Sequence, residues 1–174
     1  VSETAPIERE AAARAKPATG TAAWSVRAAR EADVAGVAAG VAELLHELGA
    51  APPGTAALQA ATRALLEDPD AGALLVAEAD GELVGVLGAS WQTAIHTLGY
   101  YALIQDLWVH SSWRSRAIGA ELVAALCELA SERALTRVEV GLPRESFAGL
   151  AATQAFYSAN GFTPLGPRMR RLLG

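Results

Sequence analysis

The stretch IQDLWVHSSWRSRAIGAEL, residues 104–122, decides the fold of this chain. It opens as an apolar strand, with Ile104, Leu107 and Val109 in it. Ile118 and Leu122 then begin a pattern at helical spacing. Between them lie Arg114 and Arg116, followed by the small residues Ala117, Gly119 and Ala120. A strand that turns into a helix leaves the first helical N–H groups without acceptors. Small residues there let an anion reach the backbone, and two guanidinium groups add positive charge. On the residues alone, the segment reads as a pyrophosphate-binding turn or as an ordinary strand–turn–helix with solvated arginines.

Working outward, Ile118, Leu122, Leu126 and Leu129 predict a helix over 118–133. TRVEVGL (136–142) predicts a strand. A helix follows over 147–160, ended by Gly161, and one last strand or two short ones lie within 162–173. Arg168, Arg170 and Arg171 would form a solvated edge there. Upstream, a strand runs over 100–109. ALLVAEA (73–79) and ELVGVLGASW (82–91) flank Asp80-Gly81, a hairpin turn pair. Val34, Val37, Val41, Leu44, Leu45 and Leu48 mark a first helix stopped at Gly49, and 55–66 a second, ended before Asp68-Pro69. Trp24, Val26 and Ala28 alternate as a half-exposed strand. Residues 1–23 read as a flexible Ala-rich tail with a helical turn around 7–14, and 24–174 as a single domain. The order β-α-α-β-β-β-α-β-α-β implies an α/β (α+β) fold: a mixed, mostly antiparallel central sheet flanked by helices.

Composition bounds the function. The 174 residues fit one domain, and although 52% are hydrophobic, 40 of the chain's residues are Ala. No run of 18 apolar residues exists, so no membrane span is expected. The first twenty residues carry Glu3, Glu8 and Glu10 without an apolar block, unlike a secretory leader. A cytoplasmic location is the expectation. The net charge is −5, with 13 Arg and one Lys, which argues against nucleic-acid binding and suits a cationic small molecule. The single Cys127 excludes an internal disulfide and reads as packing, while His46, His96 and His110 lie too far apart for a metal site.

Two motifs carry a family resemblance. Arg114-Ser115-Arg116-Ala117-Ile118-Gly119 resembles the Arg/Gln-x-x-Gly-x-Gly/Ala signature of the GNAT superfamily of acyl-CoA-dependent N-acetyltransferases, with Ala117 at the middle glycine and Ser115 where many members have glycine. Ala117 is costly there if the backbone needs a positive φ. Ala155-Phe-Tyr-Ser-Ala-Asn-Gly-Phe162 resembles the family's last helix, in which a Tyr stands four residues before Gly-Phe. The resemblance spans about 24–173 in element order and is specific only over 103–129 and 150–162. It implies acetyl-CoA as cosubstrate and no metal. It places the pyrophosphate on Arg114, Ser115, Arg116, Ala117, Ile118, Gly119 and Ala120, and the thioester carbonyl near the backbone of Leu107, Trp108 and Val109. Tyr157 is implied as the general acid that protonates the leaving thiolate, or else is a core tyrosine. No Asn lies between 136 and 153, so an Asn that contacts the cofactor in many members has no counterpart.

Acyl transfer to an amine needs the amine neutral, hence a base or a water relay. Related strands often carry Glu-Asp before Leu-x-Val; here the pair is Gln105-Asp106, and Gln cannot act as a base. Asp106, expected on the face opposite Gln105, is a candidate base or a buried carboxylate bonded to backbone amides. Glu43 and Glu47, at i,i+4 spacing, are an acidic rim for a cationic acceptor or a solvated helix face. Gln105, Trp91 and His96 complete the candidate acceptor residues. The expected function is acetyl transfer from acetyl-CoA to a primary amine of a small molecule by direct attack. A non-catalytic acyl-CoA-binding sensor or interaction module and a protein or peptide N-acetyltransferase are the alternatives. Exposed edge strands leave room for a homodimer.

Overall fold

The computed structural model describes residues 14–15, 23–166 and 171. Its strands are β1 (Arg14–Ala15), β2 (Trp24–Ala28), β3 (Gly72–Ala79), β4 (Glu82–Ala94), β5 (Gly99–Val109) and β6 (Val138–Val140). Its α-helices are α1 (Val34–Glu47), α2 (Thr55–Glu67), α3 (Ile118–Glu132) and α4 (Leu150–Ala159). The sheet runs β1-β2-β3-β4-β5-β6, antiparallel except for the last, parallel pair. This is the mixed, mostly antiparallel sheet that the sequence predicts.

Alternation along the central strands sorts the core into two layers. Leu75, Ala77, Leu87, Ala89 and Ile104 face α3 and α4, where Ile118, Leu122, Leu126 and Tyr157 meet them. Leu74, Val76, Val86 and Trp108 face α1 and α2, where they meet Val37, Leu44, Leu65 and Leu66. Arg27 of β2 ties the sheet to the start of α1, donating to both carboxylate oxygens of Asp33 (2.6 and 2.9 Å) and to Glu78. Among the described residues no helix is long and apolar enough to cross a membrane.

The elements differ from expectation at four places. Within the tail expected over 1–23, Arg14–Ala15 pairs with Val26 and Ser25, and the helical turn around 7–14 otherwise lies outside the described residues. The strand over 136–142 shortens to three residues, because β6 has a partner only along Ala102–Ile104. The last helix starts at Leu150 rather than at 147. Phe147 instead closes a turn (Leu150 N–H to Phe147 O, 3.0 Å) with its ring folded over Gly149. Residues 162–166 are irregular, and the rest of the strand expected over 162–173, Arg168 and Arg170 included, lies outside the described residues apart from Arg171.

The feature that positions the site is a break in β5. Gly88 pairs with Asp106 but its neighbour Ala89 pairs with Ile104, so Gln105 is an extra residue, a β-bulge. The three residues before the bulge are those that pair with β6. Beyond Ile104 the two parallel strands part and leave an opening through the sheet.

Candidate active site

A cleft of about 680 Å³ fills that opening. Gln105, Leu107, Trp108 and Val109 of β5 form one side, and Val140 and Gly141 the other. Leu44, Glu47 and Leu48 close it on the α1 face of the sheet, and Phe156, Tyr157 and Asn160 on the α4 face. His110 N–H bonds Val84 O on β4. By the alternation of an antiparallel ladder, Leu107 and Val109 therefore turn their N–H and C=O groups the other way, toward the open edge. Val109 O accepts there from Arg114 Nε (3.0 Å).

The loop after β5 gives the cleft its donors. Arg114 is extended, Ser115 lies at φ 60 and Ala117 at φ 64, ψ 5. Both Ser115 and Ala117 thus adopt the left-handed region, which costs a residue with a Cβ about 1–2 kcal/mol. Ala117 therefore sits where glycine would be unstrained. The packing of Ile118, 1% exposed, holds the turn from below. The first helical bond of α3 is Glu121 N–H to Ala117 O. The N–H groups of Ile118, Gly119 and Ala120 consequently lack helical acceptors, and all three residues line the cleft. Gly119 lies against α4: a Cβ there would stand 3.2 Å from Phe156 Cε2 and Cζ.

Tyr157 is 7% exposed and lines the opposite wall. Its ring packs edge-on between Phe156 (5.1 Å) and Phe162 (5.2 Å). Burial disfavours the phenolate and pushes its pKa up to about 12. The phenol therefore keeps its proton throughout the neutral range.

The cleft also brings Arg114, Ser115, Ala117, Ile118, Gly119, Ala120, Glu47, Gln105 and the three β5 residues 107–109 together. Five candidates lie elsewhere. Arg116 is exposed and stacks on Trp113, 4.7 Å from the ring centroid. Glu43 lines a second cleft of about 420 Å³, between α1 and the β3–β4 turn. Trp91 faces the α3 layer, donates to Pro69 O (3.0 Å) and lies under Arg133. His96 is exposed in the short turn Ile95–Thr97 at the tip of the long β4–β5 hairpin.

Asp106 corrects a geometric expectation. Ile104 and Leu107 both face the α3 layer, so the bulge turns Gln105 and Asp106 to the same face, not to opposite ones. Gln105 Nε2 donates to Ser90 Oγ (2.9 Å) and borders the cleft. Asp106 lies over Gly88 near Leu74, away from the cleft, and burial raises its pKa. Glu47 is the one carboxylate among the described residues that line the cleft. It is held by Arg114, Nη2 to Oε1 at 2.5 Å.

Sequence reasoning missed Trp113, Asn160, Leu44 and Leu48 as cleft residues. Asn160 stood inside the quoted second motif, and its Nδ2 bonds Phe156 O (2.8 Å). The other three carried no signal beyond apolar spacing.

A family model for acetyltransferases, the GNAT family, matches residues 39–162. The chain belongs to the GNAT acetyltransferase family. Among curated protein sequences there is no significant match. Solved structures agree on the fold. A possible acetyltransferase of Clostridium difficile 630 superposes with a TM-score of 0.74 at 16% identity, covering 87% of this chain and 97% of that one. An aminoglycoside N-acetyltransferase in complex with CoA gives 0.74 at 16% identity, covering 90% and 99%. Glucosamine-6-phosphate N-acetyltransferase of Arabidopsis thaliana gives 0.70 at 14% identity, covering 87% and 99%. As a GNAT fold, the chain has its strand opening, glycine-poor loop and buried tyrosine on one continuous cleft.

Proposed function

We propose that this protein is an acetyl-CoA-dependent N-acetyltransferase that acetylates a primary amine of a small molecule by direct attack. One observation carries the reading. The free N–H groups of Ile118–Ala120, the free edge of β5 and the Tyr157 ring all face a single cleft that passes between β5 and β6. Acetyl-CoA would supply the activated acyl group as a thioester. In this reading the α3 N-terminus and Arg114 hold the diphosphate. The outward N–H groups of Leu107 and Val109 stabilise the carbonyl oxygen as it gains negative charge. Tyr157 donates its proton to the departing thiolate, and its own proton is replaced from water. With Gln105 at the position of a base and Asp106 outside the cleft, water is the group that takes the proton from the ammonium.

That same lack of a carboxylate on the cleft side of β5 favours a second reading, a non-catalytic acyl-CoA-binding module. Thiol release from acetyl-CoA separates the two. The assay uses a panel of spermidine, tyramine, glucosamine, kanamycin, free amino acids and a peptide amine. Release with one of the small amines supports the enzyme. Release with the peptide alone moves the acceptor class to proteins. Tight CoA binding without release on any amine favours the binding module.

A further inference from the structure

We propose that Glu47 is the anchor for the acceptor's ammonium group, and that its ion pair with Arg114 withholds it until a cofactor phosphate takes the guanidinium. The inference rests on the acetyltransferase reading above and adds an order to it: cofactor binding opens the acceptor site.

Glu47 is the last residue of α1 and Arg114 the first of the cofactor loop, 67 positions apart, yet both line the same cleft. Their bond joins the acceptor wall to the phosphate-binding loop. A cationic acceptor needs a fixed negative charge, and no other carboxylate among the described residues lines the cleft. Leu44, Leu48 and Trp108 flank Glu47 and supply an apolar surface for the rest of the amine. Glu43, one turn earlier, opens on the second cleft and cannot stand in for it.

The exchange is physically cheap. The two side chains are 47% and 40% exposed, so water competes for the pair, and such pairs contribute little to stability. Arg114 donates from Nε to Val109 O as well as from Nη2 to Glu47, and because the guanidinium is planar both donors move together when it turns to a phosphate. A diphosphate at the α3 N-terminus offers that guanidinium a charge-assisted bond to a more highly charged partner. Once the guanidinium turns to the phosphate, Glu47 would be left unpaired beside a second anion, and an incoming ammonium relieves that repulsion.

The test is calorimetric titration of CoA into the wild-type protein, Glu47→Gln and Glu43→Gln, followed by kinetics on the amine panel. Removing the lock should tighten CoA about 2- to 5-fold in Glu47→Gln, the scale of an exposed ion pair. Glu43→Gln should leave CoA affinity within about twofold, since its charge lies off the cleft. The same Glu47→Gln protein should show a KM for any panel amine raised roughly tenfold or more, with a smaller change in kcat. Unchanged or weaker CoA binding in Glu47→Gln overturns the lock, and an unchanged amine KM overturns the anchor. Failure of the wild-type protein to bind CoA at all counts against the acetyltransferase reading instead, so the two failures are distinct.

Discussion

Gly40 of α1 lies over the face of the Trp108 indole, and a Cβ at position 40 would stand 2.7 Å from Cε3 and 3.0 Å from Cζ3. Trp108 is 5% exposed and borders both clefts, so this contact sets how near α1 comes to β5. Gly40→Ala gains about 1 kcal/mol of helix propensity. Against it stands overpacking of a rigid ring, about 1–3 kcal/mol. The net expectation is a loss of up to about 2 kcal/mol, read as a lower midpoint in urea with an unchanged slope. A midpoint equal to or above that of the wild type would mean that α1 shifts freely and does not set the wall of the cleft.

The loop conformation leads to an opposite sign at Ala117. With φ 64 and no Cβ–backbone conflict for glycine, Ala117→Gly relieves about 1–2 kcal/mol and loses about 0.5–1 kcal/mol to unfolded-state entropy. We expect a gain of up to about 1.5 kcal/mol in unfolding free energy. CoA affinity should stay equal or improve, because the N–H groups of Ile118–Ala120 keep their direction. A destabilised Ala117→Gly protein would show that the left-handed turn is not strained.

Asp106 should act on stability and not on turnover. Its carboxyl pKa is raised by burial, so the folded state holds the proton more tightly than the unfolded chain does. Stability from this group is therefore full below the ordinary value of 3.8 and is lost as pH rises through the raised folded value. Asp106→Asn should be more stable than the wild type at neutral pH. That difference should shrink as the solution is acidified below 3.8, measured by denaturant unfolding across the pH range. Because Asp106 lies over Gly88, off the cleft, acetyl transfer should persist in the variant; loss of turnover with an intact fold would make it the base.

Tyr157→Phe gives the sharpest test of the chemistry. The hydroxyl has no hydrogen-bond partner among the described residues, so its removal should barely change the melting temperature. If it serves as the proton donor, kcat should fall by about 10² to 10⁴ with little change in CoA affinity. With a pKa pushed up to about 12, the donor stays loaded, and the wild-type rate should show no falling limb from this group below about pH 11. A Phe variant with full kcat removes the role.

Much of the fold was legible because burial imposes a period on the residues. The stripe Ile118, Leu122 and Leu126 is fully buried, as its helical spacing requires, and the hairpin turns at Asp80-Gly81, where both residues have positive φ. Part of the cleft left a mark on side-chain size, as at Ala117, Gly119 and Ala120, and Tyr157 was marked by its place four residues before Gly161-Phe162. Glu43 and Glu47 share one helix face by spacing, yet they open on different clefts. One turn of a helix, about 5 Å, is enough to cross the wall that Trp108 forms between them.

The sequence by itself determined the order of strands and helices and the run of small residues beside Arg114 in the turn after β5. Each of these follows from local periodicity, small residues and charge. Only the tertiary structure decided which carboxylate reaches the cleft. A single extra residue at Gln105 leaves the period of β5 intact on either side of it, yet it turns Asp106 onto the face of Gln105 and lets β6 part from β5. Bulge placement depends on pairing with β4, and the Glu47–Arg114 bond on chain segments 67 residues apart. Neither relation has a local signature, because both are properties of contacts made only after the sheet has formed.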